Sequence, residues 1–304
     1  MKIAVTGAHG FVGRTLMPTL ANTGWEPVGV GRRDVGPIGP TSDWGPVLRG
    51  AEIVVHLAAM VHVMHKPTSE ESAAFFAVNT QGTEKLARDA VKAGVRRLVF
   101  LSSAKVMGDQ DPGRPFAEGD APDPGDAYAN SKLRAEEGLR RVGSEMGLEI
   151  AILRPPLVYG PEVKGNFLRL LGLCAHRWPL PFKSVRNGRS LISVRNLSHA
   201  IAQCVEVESA AGITAFVSDG VDLSTPELIA ALRGGMNRPA GLVPMPPGVL
   251  SGSLRAMGRG ELSTRLLSSF RLDDTLIRRS LAWSPPQPPE EGLAEVARWF
   301  IDRR

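Results

Sequence analysis

The sequence predicts an α/β fold, with a doubly wound parallel sheet followed by a smaller carboxyl-terminal lobe. In the first half, short apolar segments alternate with longer amphipathic ones, and a glycine-rich turn joins the first segment of each kind. Such alternation is typical of parallel strands joined by right-handed helical crossovers. After about Pro161, proline and glycine become frequent and the alternation weakens, which indicates a second lobe of different construction.

Each predicted element rests on its local pattern. Five short apolar segments, most of them rich in β-branched residues, are predicted strands: Ile3–Thr6, Pro27–Val30, Ile53–His56, Leu98–Ser102 and Glu149–Leu153. Three amphipathic stretches are predicted helices: Phe11–Ala21, Ser72–Ala93 and Tyr128–Met146. Later elements are two strands and, after a proline-rich connector, a last helix: Ile192–Val194, Thr214–Ser218 and Glu290–Asp302. We therefore assign residues 1–162 and about 190–218 to the first lobe, and residues 163–189 and 219–304 to the second.

The charge is modest overall but unevenly placed. The net charge is +5, yet the residues from Val163 to Arg195 include seven lysines or arginines and no acidic residue. Such a stretch suits an anionic partner, and the alternatives are a substrate diphosphate, nucleic acid and an acidic membrane surface. Aromatic residues make up only 6% of the chain and no known nucleic-acid-binding pattern occurs, so nucleic acid is not favoured.

The composition predicts a soluble, cytoplasmic protein. Hydrophobic residues make up 43% of the chain and charged residues 22%, which is ordinary for a globular protein. No uncharged apolar run approaches the ~18 residues of a membrane span, and the amino terminus does not resemble a secretory signal. Cys174 and Cys204 lie in apolar segments and are expected to be reduced thiols of the core.

The turn after the first strand predicts a dinucleotide site of the Rossmann type. Gly7, Gly10 and Gly13 permit a tight turn, close approach of the backbone to a pyrophosphate, and close packing of helix on strand. The free amides at the start of the following helix, around Phe11 and Val12, would face the phosphate. The alternative is a purely structural turn. The glycine turn lies between a strand and a helix, inside a βαβ pattern, and this position favours cofactor binding by the first lobe.

The end of the second strand bears on the choice of cofactor. An acidic side chain there would accept hydrogen bonds from the free 2′-hydroxyl of NAD(H). The sequence instead has Arg32 and Arg33, whose guanidinium groups could hold a 2′-phosphate. NADP(H) is therefore favoured and NAD(H) is possible. The alternative is that both arginines stack on the adenine or face solvent.

A tyrosine, a lysine and a serine form a candidate catalytic set. Tyr128 and Lys132 are four residues apart and share one face of a predicted helix. The ammonium should lower the pKa of the phenol, which can then exchange a proton with a carbinol oxygen while a nicotinamide moves the hydride. Lys132 could also bind the nicotinamide ribose. Ser103 follows the fourth predicted strand and could orient the same substrate oxygen, or it could merely cap the strand end.

At this point the chain resembles the extended short-chain dehydrogenases, a family that includes UDP-galactose 4-epimerase and sugar-nucleotide dehydratases and reductases. The segments that carry the resemblance are Thr6–Gly13, His56–Ala59, Asn79–Thr83, Ser102–Ala104, Tyr128–Lys132 and Arg154–Pro161. The resemblance implies a catalytic set of Ser103, Tyr128 and Lys132. It implies that the cofactor is also lined by His56, Leu57, Ala58 and Pro155. It further implies that a nucleotide diphosphate is held by Asn166 and Arg189.

One departure concerns the sugar. Lys105 replaces a threonine that is frequent in the family and often touches the hexose, so the sugar pocket should differ. Residues 61–64, 105–106 and 165–168 are most similar to the branch that reduces UDP-4-keto-6-deoxy-N-acetylhexosamines for bacterial surface polysaccharides. The first functional hypothesis is therefore an NADPH-dependent 4-ketoreductase. The alternatives are a UDP-sugar 4-epimerase with the same catalytic residues and a non-catalytic dinucleotide-binding regulator. Whether the anchor is UDP or a lipid diphosphate stays open.

Three further expectations concern metals, membranes and assembly. His62 and His65 have the spacing of metal ligands on a helix, but no further ligand follows at a suitable distance, so no metal is expected. A weak contact of residues 250–267 with a membrane surface is a minor hypothesis. The resemblance implies a possible homodimer through the helix that carries Tyr128 and the helix next to it.

Overall fold

The computed structural model describes residues 1–61, 68–256, 258 and 260–303. Its main sheet has six parallel strands in the order β2-β1-β3-β4-β5-β8. These strands are β1 (Lys2–Thr6), β2 (Glu26–Val30), β3 (Ala51–His56), β4 (Arg97–Leu101), β5 (Glu149–Arg154) and β8 (Thr214–Phe216). The remaining two strands, β6 (Leu157–Tyr159) and β7 (Leu191–Ser193), form a small parallel sheet of their own. The predicted doubly wound parallel sheet is confirmed.

The helices lie on both faces of this sheet and in the second lobe. Those in the first half of the chain are α1 (Phe11–Ala21), α2 (Arg32–Val35), α3 (Gly45–Leu48), α4 (Ser69–Phe75), α5 (Gly82–Lys92) and α6 (Ala127–Met146). Those in the second half are α7 (Gly165–Cys174), α8 (Val194–Glu206), α9 (Thr225–Gly235), α10 (Pro247–Ala256), α11 (Gly260–Leu267), α12 (Thr275–Leu281) and α13 (Pro289–Asp302). Short 3₁₀ turns occupy Ala104–Met107 and Glu208–Ala210.

Successive side chains of each strand point to opposite faces of the sheet, so two hydrophobic cores form, one on each face. Ile3 and Val5 of β1 pack with α1 and α8, whereas Ala4 faces the opposite side with α5 and α6. A third core belongs to the second lobe, where α7, α9 and α13 pack around Phe167, Leu232 and Val296. The boundaries of the two lobes stay a prediction.

Two elements differ from expectation. The predicted helix over Ser72–Ala93 begins at Ser69 and contains a π-helical segment, Phe76–Gln81, between α4 and α5. The predicted strand Ile192–Val194 does not join the main sheet, because β8 occupies the edge beside β5. It corresponds to β7, which pairs with β6, and Val194 already begins α8. Among the described residues, the helices lack the combination of length and apolar character that a bilayer span requires.

Candidate active site

The glycine turn lies where the strand order of the main sheet reverses, between the ends of β1 and β3. Gly7 has φ +71°, and a Cβ atom there would lie 2.9 Å from the amide nitrogen of Ala58. A Cβ on Gly13 would lie 2.4 Å from the carbonyl oxygen of Gly7, so α1 could not pack as closely on β1. Parallel sheets bind ligands at such a reversal. These residues therefore fit a dinucleotide pyrophosphate.

The start of α1 supplies hydrogen-bond donors at the same place. The amide of Gly10 donates to the carbonyl of Gly7 at 2.9 Å, and the helical ladder begins with the amide of Arg14 and the carbonyl of Gly10 at 3.1 Å. The amides of Phe11, Val12 and Gly13 precede that ladder and have no intrahelical acceptor. Together with the positive end of the helix dipole, they suit an anion.

The end of β2 carries both arginines and a carboxylate. Arg32 and Arg33 are exposed in the first turn of α2. Asp34 folds back, and its Oδ2 accepts a hydrogen bond from the amide of Gly31 at 2.8 Å. The inference that no carboxylate reaches this strand end is therefore wrong. The signal was local, because Asp34 lies three residues after Gly31, at the helix position from which a carboxylate reaches back to the N-cap amide.

His56 is part of a buried hydrogen-bond network, not of an exposed ligand surface. Its Nδ1 lies 2.7 Å from the Thr6 hydroxyl and its Nε2 lies 3.0 Å from the Thr83 hydroxyl. Since Thr83 donates to the carbonyl of Asn79, Nε2 must donate and Nδ1 must accept. Burial, and secondly the charge of Lys132, lowers the pKa of His56 to about 3. The neutral imidazole thus joins β1 and β3 to α5, while Leu57 and Ala58 remain partly exposed beside the turn.

Tyr128 lies in the first turn of α6, close enough to Ser103 for that side chain to act on the pKa of the phenol, which it lowers. Asp126 caps the helix, because its Oδ1 accepts the amide of Ala129 at 2.7 Å. Burial, and secondly the charge of Asp126, raises the pKa of Tyr128 to about 12. The expected lowering of this pKa is therefore wrong for the protein alone, since burial and a carboxylate two residues away outweigh the contribution of Ser103. Ser103 also accepts the amide of Lys105, so the alternative of a local cap applies as well.

Lys132 follows Tyr128 by one helical turn and is buried, with 2% of its surface exposed. Its Nζ lies 3.9 Å from the centroid of the Phe100 ring. Burial lowers the pKa of Lys132 to about 7, although the nearby Glu136 carboxylate acts in the opposite direction. The site therefore holds a partly buried phenol and a buried amine on one helix.

A buried ion pair beneath the catalytic set escaped sequence reasoning. Glu136, fully buried, receives two hydrogen bonds from Arg154, at 3.0 Å to Oε1 and 2.6 Å to Oε2. The hydroxyl of Ser102 donates to the same carboxylate at 2.6 Å. The pair thereby connects α6, the end of β5 and the residue before Ser103. The signal was available, because Glu136 follows Lys132 by one turn and a carboxylate on a buried helix face needs a cation.

The candidate substrate residues are spread over both lobes. The ammonium of Lys105 is paired with Asp126 and lies 3.6 Å from Asp109, so it is connected to the cap of the catalytic helix. Asn166 is half-buried in the first turn of α7. Pro155 is buried directly after β5, where its carbonyl accepts the amide of Ala104 at 2.9 Å.

Arg189 is the substrate candidate with the most unusual surroundings. Its Nη1 donates to the carbonyl of Ser268 at 3.0 Å, and its guanidinium lies 5.8 Å from the Phe270 ring. Burial, and secondly the charge of Arg265, lowers the pKa of Arg189 to about 10. Two arginines close enough to repel each other form a suitable place for an anion. The sequence analysis did not single out Arg265.

Metal binding finds no support within the described ranges, where no three histidine, cysteine, aspartate or glutamate residues come together. His62 and His65 lie outside the described residues.

The sheet order, the glycine turn and the tyrosine and lysine one turn apart define the short-chain dehydrogenase class. Residues 3–212 match the model of the NAD-dependent epimerase/dehydratase family. The chain belongs to that family. It is therefore an NAD(P)-dependent enzyme of the epimerase/dehydratase type.

Two curated relatives extend the comparison. A UDP-glucose 4-epimerase of Vibrio cholerae is 35% identical over 313 residues, covering 99% of this chain and 95% of the relative. An N-acetyl-α-D-glucosaminyl-diphospho-ditrans,octacis-undecaprenol 4-epimerase of Escherichia coli O157:H7 is 28% identical over 268 residues, covering 83% of this chain and 78% of the relative.

Two solved structures share the fold. MoeE5 in complex with UDP-glucose and NAD superimposes with a TM-score of 0.78 at 24% identity, covering 100% of this chain and 99% of the other. RMD from Pseudomonas aeruginosa complexed with NADPH has the same TM-score and coverage at 22% identity. At these identities the likeness concerns the fold alone.

Proposed function

We propose that this enzyme is a nucleotide-sugar 4-epimerase, which oxidises carbon 4 of a hexose and reduces it again from the opposite face. The observation that carries the proposal is the position of Tyr128, beside Ser103 and one helical turn from the buried Lys132. The similarity to the Vibrio cholerae UDP-glucose 4-epimerase over almost the whole chain supports it.

In this proposal Tyr128 moves the proton. It takes the proton of the 4-hydroxyl as the carbon–hydrogen bond of that carbon breaks, and returns it to the same oxygen when a carbon–hydrogen bond forms on the other face. Ser103 donates a hydrogen bond to that oxygen. A bound nicotinamide dinucleotide accepts and returns the hydride and, when oxidised, adds a positive charge that favours the phenolate. The ammonium of Lys132 acts on the phenol in the same direction.

The second lobe would hold the nucleotide diphosphate. Arg189 and Arg265 bring two positive charges together, and Asn166 lies at the amino-terminal end of α7. Guanidinium groups bind phosphate oxygens in bidentate fashion, and a partly buried pair does so with little competition from water. We expect Arg189→Ala to raise KM for the nucleotide sugar much more than it lowers kcat.

A second candidate is the 4-ketoreductase of a UDP-4-keto-6-deoxy-N-acetylhexosamine, which Arg32 and Arg33 favour. Both are exposed at the end of β2, while the carboxylate of Asp34 accepts the amide of Gly31. Free guanidinium groups there suit the 2′-phosphate of NADP(H), and a reductase must exchange its cofactor in every cycle. An epimerase keeps its cofactor and gains little from such a preference.

One experiment separates the candidates. The purified enzyme is incubated with UDP-glucose and, separately, with a UDP-4-keto-6-deoxy-N-acetylhexosamine plus NADPH. Formation of UDP-galactose from UDP-glucose with no added NADPH supports the epimerase, whereas stoichiometric oxidation of NADPH with the keto sugar supports the reductase. Inactivity in both assays, with bound dinucleotide verified by mass spectrometry, would overturn both.

The cofactor preference has its own test. Arg32→Ala/Arg33→Ala should weaken NADPH binding about tenfold or more and leave NADH binding nearly unchanged. Equal affinities in the unmodified protein would remove the reason for preferring NADP(H).

A further inference from the structure

Two long segments of the chain contain no acidic residue. Residues 163–205 include seven lysines or arginines, and residues 228–260 include four, without one aspartate or glutamate in either. Each segment therefore lacks the carboxylates that elsewhere balance the positive charge of this protein. A surface composed of both would carry a field of one sign.

The fold brings these segments side by side. Leu180 and Leu242 form a parallel bridge, in which the amide of Leu180 donates to the carbonyl of Gly241 at 2.9 Å. The amide of Val243 donates to the carbonyl of Leu180 at 3.0 Å. The buried guanidinium of Arg233 binds carbonyls of both segments, among them that of Trp178 at 2.8 Å and that of Ala240 at 2.8 Å.

Large apolar side chains are exposed along this junction. The exposed fractions are 76% for Trp178, 40% for Val243 and 56% for Val249 at the start of α10. Arg177 directly precedes Trp178, and the amide of Lys183 donates to the carbonyl of Val243 at 3.2 Å. Both side chains are exposed, and neither has an ion pair within the described part of the chain. We call these five residues the Trp178 face. A tryptophan so exposed and flanked by free cations is unusual for a surface that meets only water.

We propose that the Trp178 face docks this enzyme on an anionic phospholipid surface. Tryptophan favours the boundary between headgroups and acyl chains, and basic residues beside it attract acidic lipids. A second copy of this chain that docked through the same face would bring a charge of the same sign. Nucleic acid would suit the charge, but not the valines. The proposal concerns where the enzyme works and does not depend on which sugar it converts.

The Trp178 face differs from residues 250–267, the segment for which the sequence suggested a membrane contact. Leu250 is 6% exposed, and Leu262, Leu266 and Leu267 pack against the core of the second lobe. These four leucines of α10 and α11 therefore face the protein, whereas Val249 of α10 belongs to the Trp178 face. Trp178, in the loop after α7, was not noticed because a single tryptophan gives no periodic signal.

The test is co-sedimentation of the full chain with vesicles at low salt. Vesicles of phosphatidylcholine with phosphatidylglycerol should retain the protein, pure phosphatidylcholine should not, and added NaCl should release it. Trp178→Ala should lower the partition coefficient about tenfold. Arg177→Glu/Lys183→Glu should lower it at least about 25-fold, since each basic residue near such a surface contributes about fivefold.

The matched control reverses two charges on the first lobe. Lys92→Glu/Arg134→Glu changes net charge equally at two exposed positions of α5 and α6, and it should leave most of the binding intact. Unchanged thermal unfolding midpoints show that every variant folds. Equal loss in both double variants, no effect of Trp178→Ala, or no sedimentation at low salt would each overturn the proposal. So would Trp178-dependent binding of DNA, or Trp178-dependent self-association, without vesicle binding.

Discussion

The two lobes differ in the groups that bind their buried arginines. In the first lobe, Arg154 is paired with Glu136, and Arg97 donates to Glu149 at 2.7 Å. In the second lobe, Arg233 is 2% exposed and is held by five backbone carbonyls of residues 174, 176, 178, 240 and 241. Its charge has no carboxylate partner among the described residues.

The difference has a functional consequence. A paired cation holds strands and helices together without adding to the field around the site, so the first lobe can tune Tyr128 and Lys132 locally. A cation bound only by carbonyls is satisfied in its hydrogen bonds but not neutralised. The second lobe therefore stays positive, which suits the diphosphate of a substrate and the lipid surface proposed above.

The largest expected effect tests the chemistry of the first lobe. Tyr128→Phe removes the proton donor and acceptor while keeping the ring, which lies edge-on to Phe75 at 6.2 Å. We expect kcat to fall about 10³-fold and KM to stay within a factor of three, roughly as for other general acids and bases. Steady-state kinetics with the substrate identified above measures both. A variant that retains a tenth of the activity would contradict the role of Tyr128.

A second pair of variants addresses the comparison directly. Arg154→Met removes two hydrogen bonds from the buried carboxylate of Glu136 and leaves it with Arg140 and Ser102 as partners. It should reduce the free energy of unfolding by about 3–5 kcal/mol at pH 7. Arg233→Met leaves neutral carbonyls unpaired, and should cost about 2–4 kcal/mol. Urea unfolding at pH 7 measures both losses, and a larger loss for Arg233→Met than for Arg154→Met would contradict the comparison.

Replacement of Lys132 tests whether its burial reduces the stability of the folded protein. The folded pKa of about 7 lies below the ordinary value of 10.5, so its burial is unfavourable in full below pH 7 and the cost vanishes as the pH approaches 10.5. Lys132→Met should therefore be inactive yet more stable by about 1–4 kcal/mol at pH 7. The gain should decrease above pH 7. Thermal or urea unfolding over this range measures it, and a destabilised variant would contradict the argument.

The smallest effect concerns His56. Its folded pKa of about 3 lies below the ordinary value of 6.5, so stability is complete above about pH 6.5 and is lost as the pH falls towards 3. His56→Gln should be somewhat less stable at pH 7. Its free energy of unfolding should also depend less on pH, by up to about 1.4 kcal/mol per pH unit. Identical slopes in the two proteins would show that the imidazole does not stay neutral.

Local sequence patterns were sufficient to predict many of the strands and helices. Helix α1 begins and ends where its periodicity predicted, and five strands and the glycine turn follow from short apolar runs and three glycines. These features depend on neighbours a few residues apart, which the sequence displays directly. The proximity of Tyr128 and Lys132 was predictable in the same way, because one helical turn brings the two residues together.

Contacts between distant segments required the tertiary structure. The pairing of β7 with β6 and the meeting of Leu180 with Leu242 depend on which edges and surfaces are already occupied. The pKa of Tyr128 likewise depends on burial, which no spacing reveals. The sequence alone thus determined how the catalytic residues are spaced along the helix. The tertiary structure decided the electrostatic surroundings of these residues, because burial and charge add up over residues far apart in the chain.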